Sequence, residues 1–141
     1  MEITANAVQT VRSNQNVLFT DTVVCGNCSI THRDGSGLVN LKGLTNQRRA
    51  RYRVLFGGNL AIPTGGTVGQ ISIAITLDGE PVATTTAIVT PTAVEQYNNV
   101  FTAIFIDVPC GCCSQIGVKN TSITNQSILV QNANLIVERV A

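Results

Sequence analysis

Apolar and polar residues alternate in short runs along most of this chain, and glycine, asparagine and proline separate the runs. The alternation is regular between Gln70 and Leu77, where Ile71, Ile73 and Ile75 share one face. A period of two residues is typical of a β-strand, and the period of about 3.6 residues that marks an amphipathic helix is hard to find. The pattern predicts strands at residues 2–12, 16–24, 30–41 (a hairpin), 49–62, 70–77, 82–89, 99–108, 114–119 and 127–140.

Two Asp-Gly pairs divide these runs at positions that suit tight turns. Asp34-Gly35 lies inside the hairpin at 30–41, and Asp78-Gly79 follows the regular strand. Asp-Gly favours the two-residue turns that match the twist of antiparallel strands. About ten short strands joined in this way predict an all-β fold. We expect a single jelly-roll domain over residues 1–141, a ten-stranded sandwich of two antiparallel sheets.

One predicted strand, at 99–108, is apolar on both faces. Val100, Ile104 and Ile106 lie on one face, and Phe101 and Phe105 lie on the other. A two-layer sandwich covers only one face of each sheet. The pattern therefore predicts contact with a neighbouring subunit, and we assign Val100, Ile104 and Ile106 to that contact. Cover by a loop of the same chain is the alternative.

The composition supports assembly and excludes several classes of partner. The 141 residues include 9 Lys+Arg and 8 Asp+Glu, a net charge of +1, so no strong field attracts nucleic acid or an anionic membrane. The charged fraction is 12%, about half the usual share for a globular domain. The hydrophobic fraction of 44% excludes disorder. Subunit contacts would explain how a chain with so little charge stays in solution.

The first residues carry no targeting signal. Met1 to Asn6 contain neither a basic start nor an apolar run of signal-peptide length. No stretch approaches the roughly 18 apolar residues of a membrane span. We expect synthesis in a cytoplasm without export by the general secretory route.

The five cysteines are the most unusual feature of the composition. They form two clusters: Cys25 and Cys28 in a Cys-X-X-Cys motif, and Cys110, Cys112 and Cys113 in a Cys-X-Cys-Cys motif. Four thiolates could hold a tetrahedral Zn²⁺ ion, the one cofactor that the sequence suggests. Disulfide bonds, with an odd thiol left for a neighbour, are a second reading. Reduced, half-buried thiols are the third.

Four of the nine basic residues fall in one short run. On a strand, Arg49, Arg51 and Arg53 share a face. Such a stripe is either solvated, or paired with an acidic residue of a neighbouring strand or subunit, or used to dock on an acidic partner surface such as a capsid shell. The acidic residues considered for such pairing are Glu80, Glu95 and Asp107. The run lacks the aromatic residues that a nucleic-acid platform needs on the same face.

Catalytic signatures are absent from the sequence. His32 is the only histidine, and its neighbours Thr31 and Arg33 fit a hairpin strand. Paired carboxylates, phosphate-binding loops and histidine-based metal motifs do not occur. We therefore expect a protein that is not an enzyme.

The order of the motifs resembles the jelly-roll heads of the tumour necrosis factor and complement globular-head superfamily. It is most similar to small bacterial and phage members, such as the heads of spore-surface collagen-like proteins. The matching segments cover residues 17–19, 30–41, 50–54, 71–82 and 133–138. The resemblance implies a compact homotrimer packed around a threefold axis, with a role in binding or scaffolding.

The resemblance also narrows the expected role. The chain contains no Gly-X-Y repeats of a collagen-like stalk. We therefore expect a free-standing trimer on a virion surface, which decorates the capsid or forms part of a fibre and contacts itself and the major capsid protein. The alternative is a recognition or adhesion head that binds a glycan or protein on a spore or cell surface.

Overall fold

The computed structural model describes residues 1–26, 28–43, 48–123 and 125–141, and within these ranges the chain forms twelve β-strands and no α-helix. Asn27 of the first cysteine motif and Gln47, which precedes the arginine run, lie outside them. The strands are β1 (Glu2–Ala5), β2 (Gln9–Val11), β3 (Asp21–Val24), β4 (Ile30–His32), β5 (Val39–Lys42), β6 (Arg49–Ala61), β7 (Ile71–Leu77), β8 (Glu80–Pro81), β9 (Ala87–Val89), β10 (Asn98–Pro109), β11 (Cys113–Asn120) and β12 (Ile128–Arg139).

The strands form two antiparallel sheets of six strands each. In the first sheet the order is β10-β6-β12-β1-β3, and β2 also pairs with β12. In the second sheet the order is β4-β5-β11-β7-β8, and β9 also pairs with β7. The predicted all-β, two-sheet antiparallel sandwich is confirmed. The predicted run at 2–12 divides into two short strands around Asn6 to Val8, and β8 forms between two predicted runs, which brings the number of strands to twelve.

Both Asp-Gly pairs lie in hairpin connections. Asp78 and Gly79 have φ values of 52° and 89° and join β7 to β8 as a two-residue turn. Positive φ at both positions suits the right-handed twist of the flanking strands. The hairpin at 30–41 also forms, with Ile30 opposite Leu41 and Gly35 at a φ of 90°.

The core lies between the two sheets and takes alternate residues of the long central strands. In β6, Ala50, Tyr52, Val54 and Phe56 are fully buried. Burial of one Phe or Val side chain contributes roughly 1.5–3 kcal/mol. The Tyr52 hydroxyl also donates a 2.6 Å hydrogen bond to the carbonyl of Lys42, which connects the first sheet to β5 of the second.

The segment before β3 passes from one sheet to the other. Val17 and Phe19 are buried, as alternation predicts, yet residues 17–20 are not a strand. The Val17 amide bonds to the Val118 carbonyl of the second sheet, whereas pairing with the first sheet begins at Asp21. Because the segment bonds first to the second sheet and then to the first, it cannot form one continuous strand in either sheet.

The face assigned to β10 from the sequence is wrong. Val100 and Ile106 are buried within the chain's own core, with 6% and 4% of their surfaces exposed. Ile104 is partly buried and packs against the same core. These three side chains therefore face the second sheet of their own chain. The apolar residues of β10 that a neighbouring subunit could contact lie at the alternate positions, on the other face of the strand.

Candidate functional site: the outer face of the first sheet

An exposed apolar surface lies on the outer face of the first sheet. Phe101 and Phe105, on the edge strand β10, are 63% and 60% exposed. Between them Ala103 lies opposite Leu55 of β6, which in turn lies opposite Ile136 of β12. We call these five residues the Phe patch. Because Phe101 is opposite Gly57, no neighbouring side chain covers it from β6.

A ladder of ion pairs borders the Phe patch on the same face. Asp107 accepts hydrogen bonds of 2.8 and 3.1 Å from the Arg51 guanidinium, and Arg49 lies 3.6 Å from the same carboxylate. Arg53 donates to the Glu138 carboxylate. We call these five residues the charged ladder.

The contact with Arg51 also changes the pKa of the Asp107 carboxyl. The hydrogen bond from Arg51 lowers the pKa of Asp107 below its ordinary value, and the charges of Arg51 and Arg49 act in the same direction. Desolvation opposes this shift. The same hydrogen bond raises the pKa of Arg51. At neutral pH the pair is therefore ionised and joins the side chains of β10 and β6.

The three arginines share a face. Each of them forms an ion pair with a carboxylate of its own chain. Asp107, one of the acidic residues considered from the sequence, is the partner of Arg49 and Arg51. Sequence reasoning missed Glu138, the partner of Arg53; the signal was available only as the β12–β6 register, which places the two residues opposite each other. Each arginine side chain still keeps at least 40% of its surface exposed, so the ladder can also meet a partner.

The five cysteines lie in two surface loops. Cys25 and Cys28 connect β3 to β4, and Cys110 and Cys112 connect β10 to β11, which Cys113 begins. All five are exposed, and Cys25, Cys28, Cys112 and Cys113 are free thiols. Within the described ranges, no group of three or more His, Cys, Asp and Glu side chains is arranged to hold a metal ion.

His32 has a structural environment. Its side chain is fully buried, its Nε2 lies 2.9 Å from the Ser36 carbonyl, and its ring packs edge-on against Phe19. An open surface depression of about 520 Å³ is lined by His32, Cys25 and Cys28. Nδ1 has no hydrogen-bond partner among the described residues, and its acidic neighbour is Asp34, at 3.9 Å. The ring thus supports the hairpin rather than a nucleophile.

The described ranges contain no helix with the length and hydrophobicity that a membrane span requires.

Comparison with known proteins defines the fold and no more. No protein-family model matches the chain, and no curated protein matches it in sequence. The chain is similar to the globular domain of the zebrafish complement 1qA protein, with a TM-score of 0.61 and 10% identity over 99% of this chain and 95% of that one. It also overlaps the EclA C-terminal domain, a sugar-binding protein, with a TM-score of 0.44 and 13% identity over 95% and 79% of the two chains.

The first of these similarities confirms the resemblance stated from the sequence. The fold is a jelly roll like that of the complement 1qA globular domain. At 10% identity the likeness concerns the backbone alone, and the overlap with the EclA domain is too limited to support a conclusion.

Proposed function

We propose that this protein is a non-enzymatic structural module that assembles as a homotrimer through the outer face of its first sheet. The observation that carries this proposal is the Phe patch. Two phenylalanine side chains with about three fifths of their surface in water are unfavourable for an isolated domain. Removal of one such ring from water contributes roughly 1.5–3 kcal/mol of stabilisation. Each subunit brings two of these rings to a shared interface, so several such contributions add up there.

The charged ladder suits the border of such an interface. Its two carboxylates pair with its three guanidinium groups and leave a net charge of +1, so a neighbour that approaches the Phe patch meets paired charges rather than isolated ones. Paired and hydrogen-bonded charges are less costly to desolvate than unpaired ones. A polar border around an apolar centre is also the common anatomy of protein interfaces.

The trimer is tested by its mass and by two variants. Sedimentation equilibrium at micromolar concentration should give three times the chain mass. The double change Phe101→Ser and Phe105→Ser should give monomers that remain folded, because both side chains are already exposed. Ile88→Ser is the matched control, since Ile88 is 58% exposed on β9 of the other sheet and should leave the trimer intact. A monomeric wild type, or a trimeric double variant, would overturn the proposal.

We further propose that the trimer decorates or extends a phage particle and contacts its major capsid protein. The low charge of the chain and its jelly-roll fold support this role. Mass spectrometry of purified particles should detect the chain in fixed proportion to the capsid protein. Arg49→Glu should lower that proportion if the arginine stripe docks on the shell, because Arg49 is the most exposed member of the stripe. Particles without the chain would contradict the role.

A second function, recognition of a surface glycan, is favoured by a groove on the second sheet. This groove of about 600 Å³ is lined by polar side chains that include Asn16, Gln115 and Lys119. The Asn16 Oδ1 atom is buried and has no hydrogen-bond partner among the described residues. A buried acceptor without a donor is costly, and a turn of the Asn16 side chain into the groove would let a ligand hydroxyl donate to it. A glycan array tests this function: binding by the wild type should be lost in Asn16→Ala.

A further inference from the structure

The strand β10 forms one edge of the first sheet and is much longer than the other edge strands. It has 12 residues, and within the described ranges it pairs only with β6, in a register without shifts. The opposite edge, β3, has 4 residues and a shifted register on β1. In the second sheet the edge strands β4, β8 and β9 have 3, 2 and 3 residues. Short or irregular edges offer little backbone to another strand, and β10 lacks this protection.

Alternate residues of β10 direct their backbone groups to the open side of the sheet. In an antiparallel ladder, both backbone groups of a residue point to the same neighbouring strand, and the next residue points to the other side. The Arg51 carbonyl accepts a 2.8 Å hydrogen bond from the Val140 amide, on the β12 side of β6. Its neighbours in β6 therefore bond on the β10 side, where they lie opposite even-numbered residues. The bond from the Cys110 amide to the Arg48 carbonyl has the same parity. Odd-numbered residues from 99 to 107 thus point away from β6.

The rest of the chain leaves this edge open. Across the described ranges, no turn or loop bonds to the backbone of Phe101, Ala103 or Phe105. The strand β9 comes close to β10 at the rim of the sandwich, but it pairs with β7. Proline, charged side chains and bulges commonly prevent pairing at an edge, yet residues 98–108 contain no proline and a single charge, Asp107. The edge is therefore able to accept a further strand.

We propose that β10 pairs edge to edge with β10 of a second copy, antiparallel, across a twofold axis at Ala103. This register places Phe101 opposite Phe105 of the second copy, and the same pair forms again on the other side of the axis. Residues 99–107 of the two copies then exchange about ten backbone hydrogen bonds. Aromatic pairs between neighbouring strands add to the stability of such a ladder.

The side chains of β10 suit a second copy in this register. Asn99 lies opposite Asp107 of the second copy on the outer face, where its amide can donate to that carboxylate. An axis one residue further along, at Ile104, would place Phe101 opposite Asp107, and Asn99 opposite Pro109, which has no N–H to donate. The strand is therefore self-complementary about one residue, which favours a second copy over an unrelated strand.

The edge contact goes beyond the proposed trimer. The trimer uses side chains on the outer face of the first sheet, whereas the edge contact uses backbone groups at its side. Addition of a strand at the edge extends the sheet and leaves its outer face open. The contact can therefore join a subunit of one trimer to a subunit of another.

The central variant is Ala103→Pro, which removes one N–H from the open edge and places the proline ring where the second strand would lie. Proline is tolerated in an edge strand where the N–H faces solvent. Ala103→Val is the matched control, because it adds a similar volume at this exposed position and keeps the N–H. Ala103→Lys is a second disrupting variant with an intact backbone, since it sets like charges opposite each other at the axis. Thermal unfolding verifies that each variant is folded.

The test combines residue-resolved hydrogen exchange with sedimentation equilibrium, both on the full chain at millimolar concentration. The amides of Phe101 and Phe105 should exchange about tenfold more slowly, or slower still, in the wild type and Ala103→Val than in Ala103→Pro and Ala103→Lys. The amides of Ile104 and Ile106 bond to β6 and should be protected in all four proteins. The wild type should have twice the mass of Ala103→Pro.

The two proposals fail in different ways. Equal exchange rates at Phe101 and Phe105 in all four proteins, or equal masses for the wild type and Ala103→Pro, would overturn the edge contact. If the wild type is then a trimer, the trimer stands without the edge contact. A wild type of twice the chain mass with slow exchange at Phe101 and Phe105, which Ala103→Pro converts to monomers, would support the edge contact and reject the trimer.

Discussion

Asp107 and Arg51 lie directly opposite each other on β10 and β6, and the guanidinium of Arg51 grips the carboxylate with hydrogen bonds of 2.8 and 3.1 Å. Two parallel N–H···O bonds of this kind fix both the distance and the orientation of the groups. The pair lies at the edge of the first sheet, at the boundary between the Phe patch and the charged ladder. The register of β10 on β6 thus determines which charged groups lie at the border of the proposed interface.

Stability should fall in acid partly through this pair. Arg51 lowers the pKa of Asp107, so folding favours the ionised carboxyl. The stabilisation is present above the pKa of the unfolded chain, about 4, and is lost as the pH falls through the lower pKa of the folded state. Urea unfolding of the wild type and of Asp107→Asn between neutral pH and strong acid measures this. The difference between the two proteins should shrink with acidification; a constant difference would contradict the assignment.

Removal of the Tyr52 hydroxyl should weaken the contact between the two sheets. Tyr52→Phe keeps the buried ring but deletes the 2.6 Å hydrogen bond to the Lys42 carbonyl. The loss of one such bond costs roughly 0.5–1.5 kcal/mol, and more if the acceptor stays unsatisfied. Tyr97→Phe is the control, because Tyr97 is exposed. Equal unfolding midpoints in urea for the two variants would show that the hydroxyl does not stabilise the sandwich.

The turn between β7 and β8 should tolerate only a residue that accepts positive φ. Gly79 has a φ of 89° and open space around it, so Gly79→Ala meets no clash but strains the backbone by roughly 1–2 kcal/mol. Gly69 has equally open space without a positive φ, so Gly69→Ala should be neutral or stabilise by up to about 1 kcal/mol. Thermal unfolding compares the two. A Gly79→Ala protein as stable as Gly69→Ala would argue against this turn.

Truncation of the core should be far more damaging than truncation of an exposed apolar residue. Phe56 is fully buried and packs edge-on against Phe19, so Phe56→Ala should cost about 3–5 kcal/mol through lost burial and a residual cavity. Ile88→Ala, on the exposed face of β9, should change stability by no more than about 0.5 kcal/mol. Chemical denaturation gives both values. Similar effects would mean that β6 does not supply the core.

Much of the architecture follows from local pattern. The alternation at residues 70–77 and the Asp-Gly pair after it predict a strand and a hairpin, and both are present. The arginine stripe likewise follows from strand parity. Pairing of Arg53 with Glu138 could not be foreseen, since the two residues are 85 positions apart and meet only through the register of β12 on β6.

The strand β10 shows where local pattern is insufficient. Both of its faces carry large apolar side chains, so alternation alone does not say which face is buried, and the choice of Val100, Ile104 and Ile106 as the open face was wrong. The two cysteine motifs behave similarly. Their spacing is visible in the sequence, but their positions on either side of β5 depend on which strands become neighbours.

By itself, the sequence determined the strands, the tight turns and the all-β class, because steric preference and alternation act between residues a few positions apart. Only the tertiary structure decided which face of β10 meets the core, which carboxylates pair with the arginines and where the thiols gather. Those outcomes depend on the register and packing of strands that are distant in the chain, and no short-range pattern contains that information.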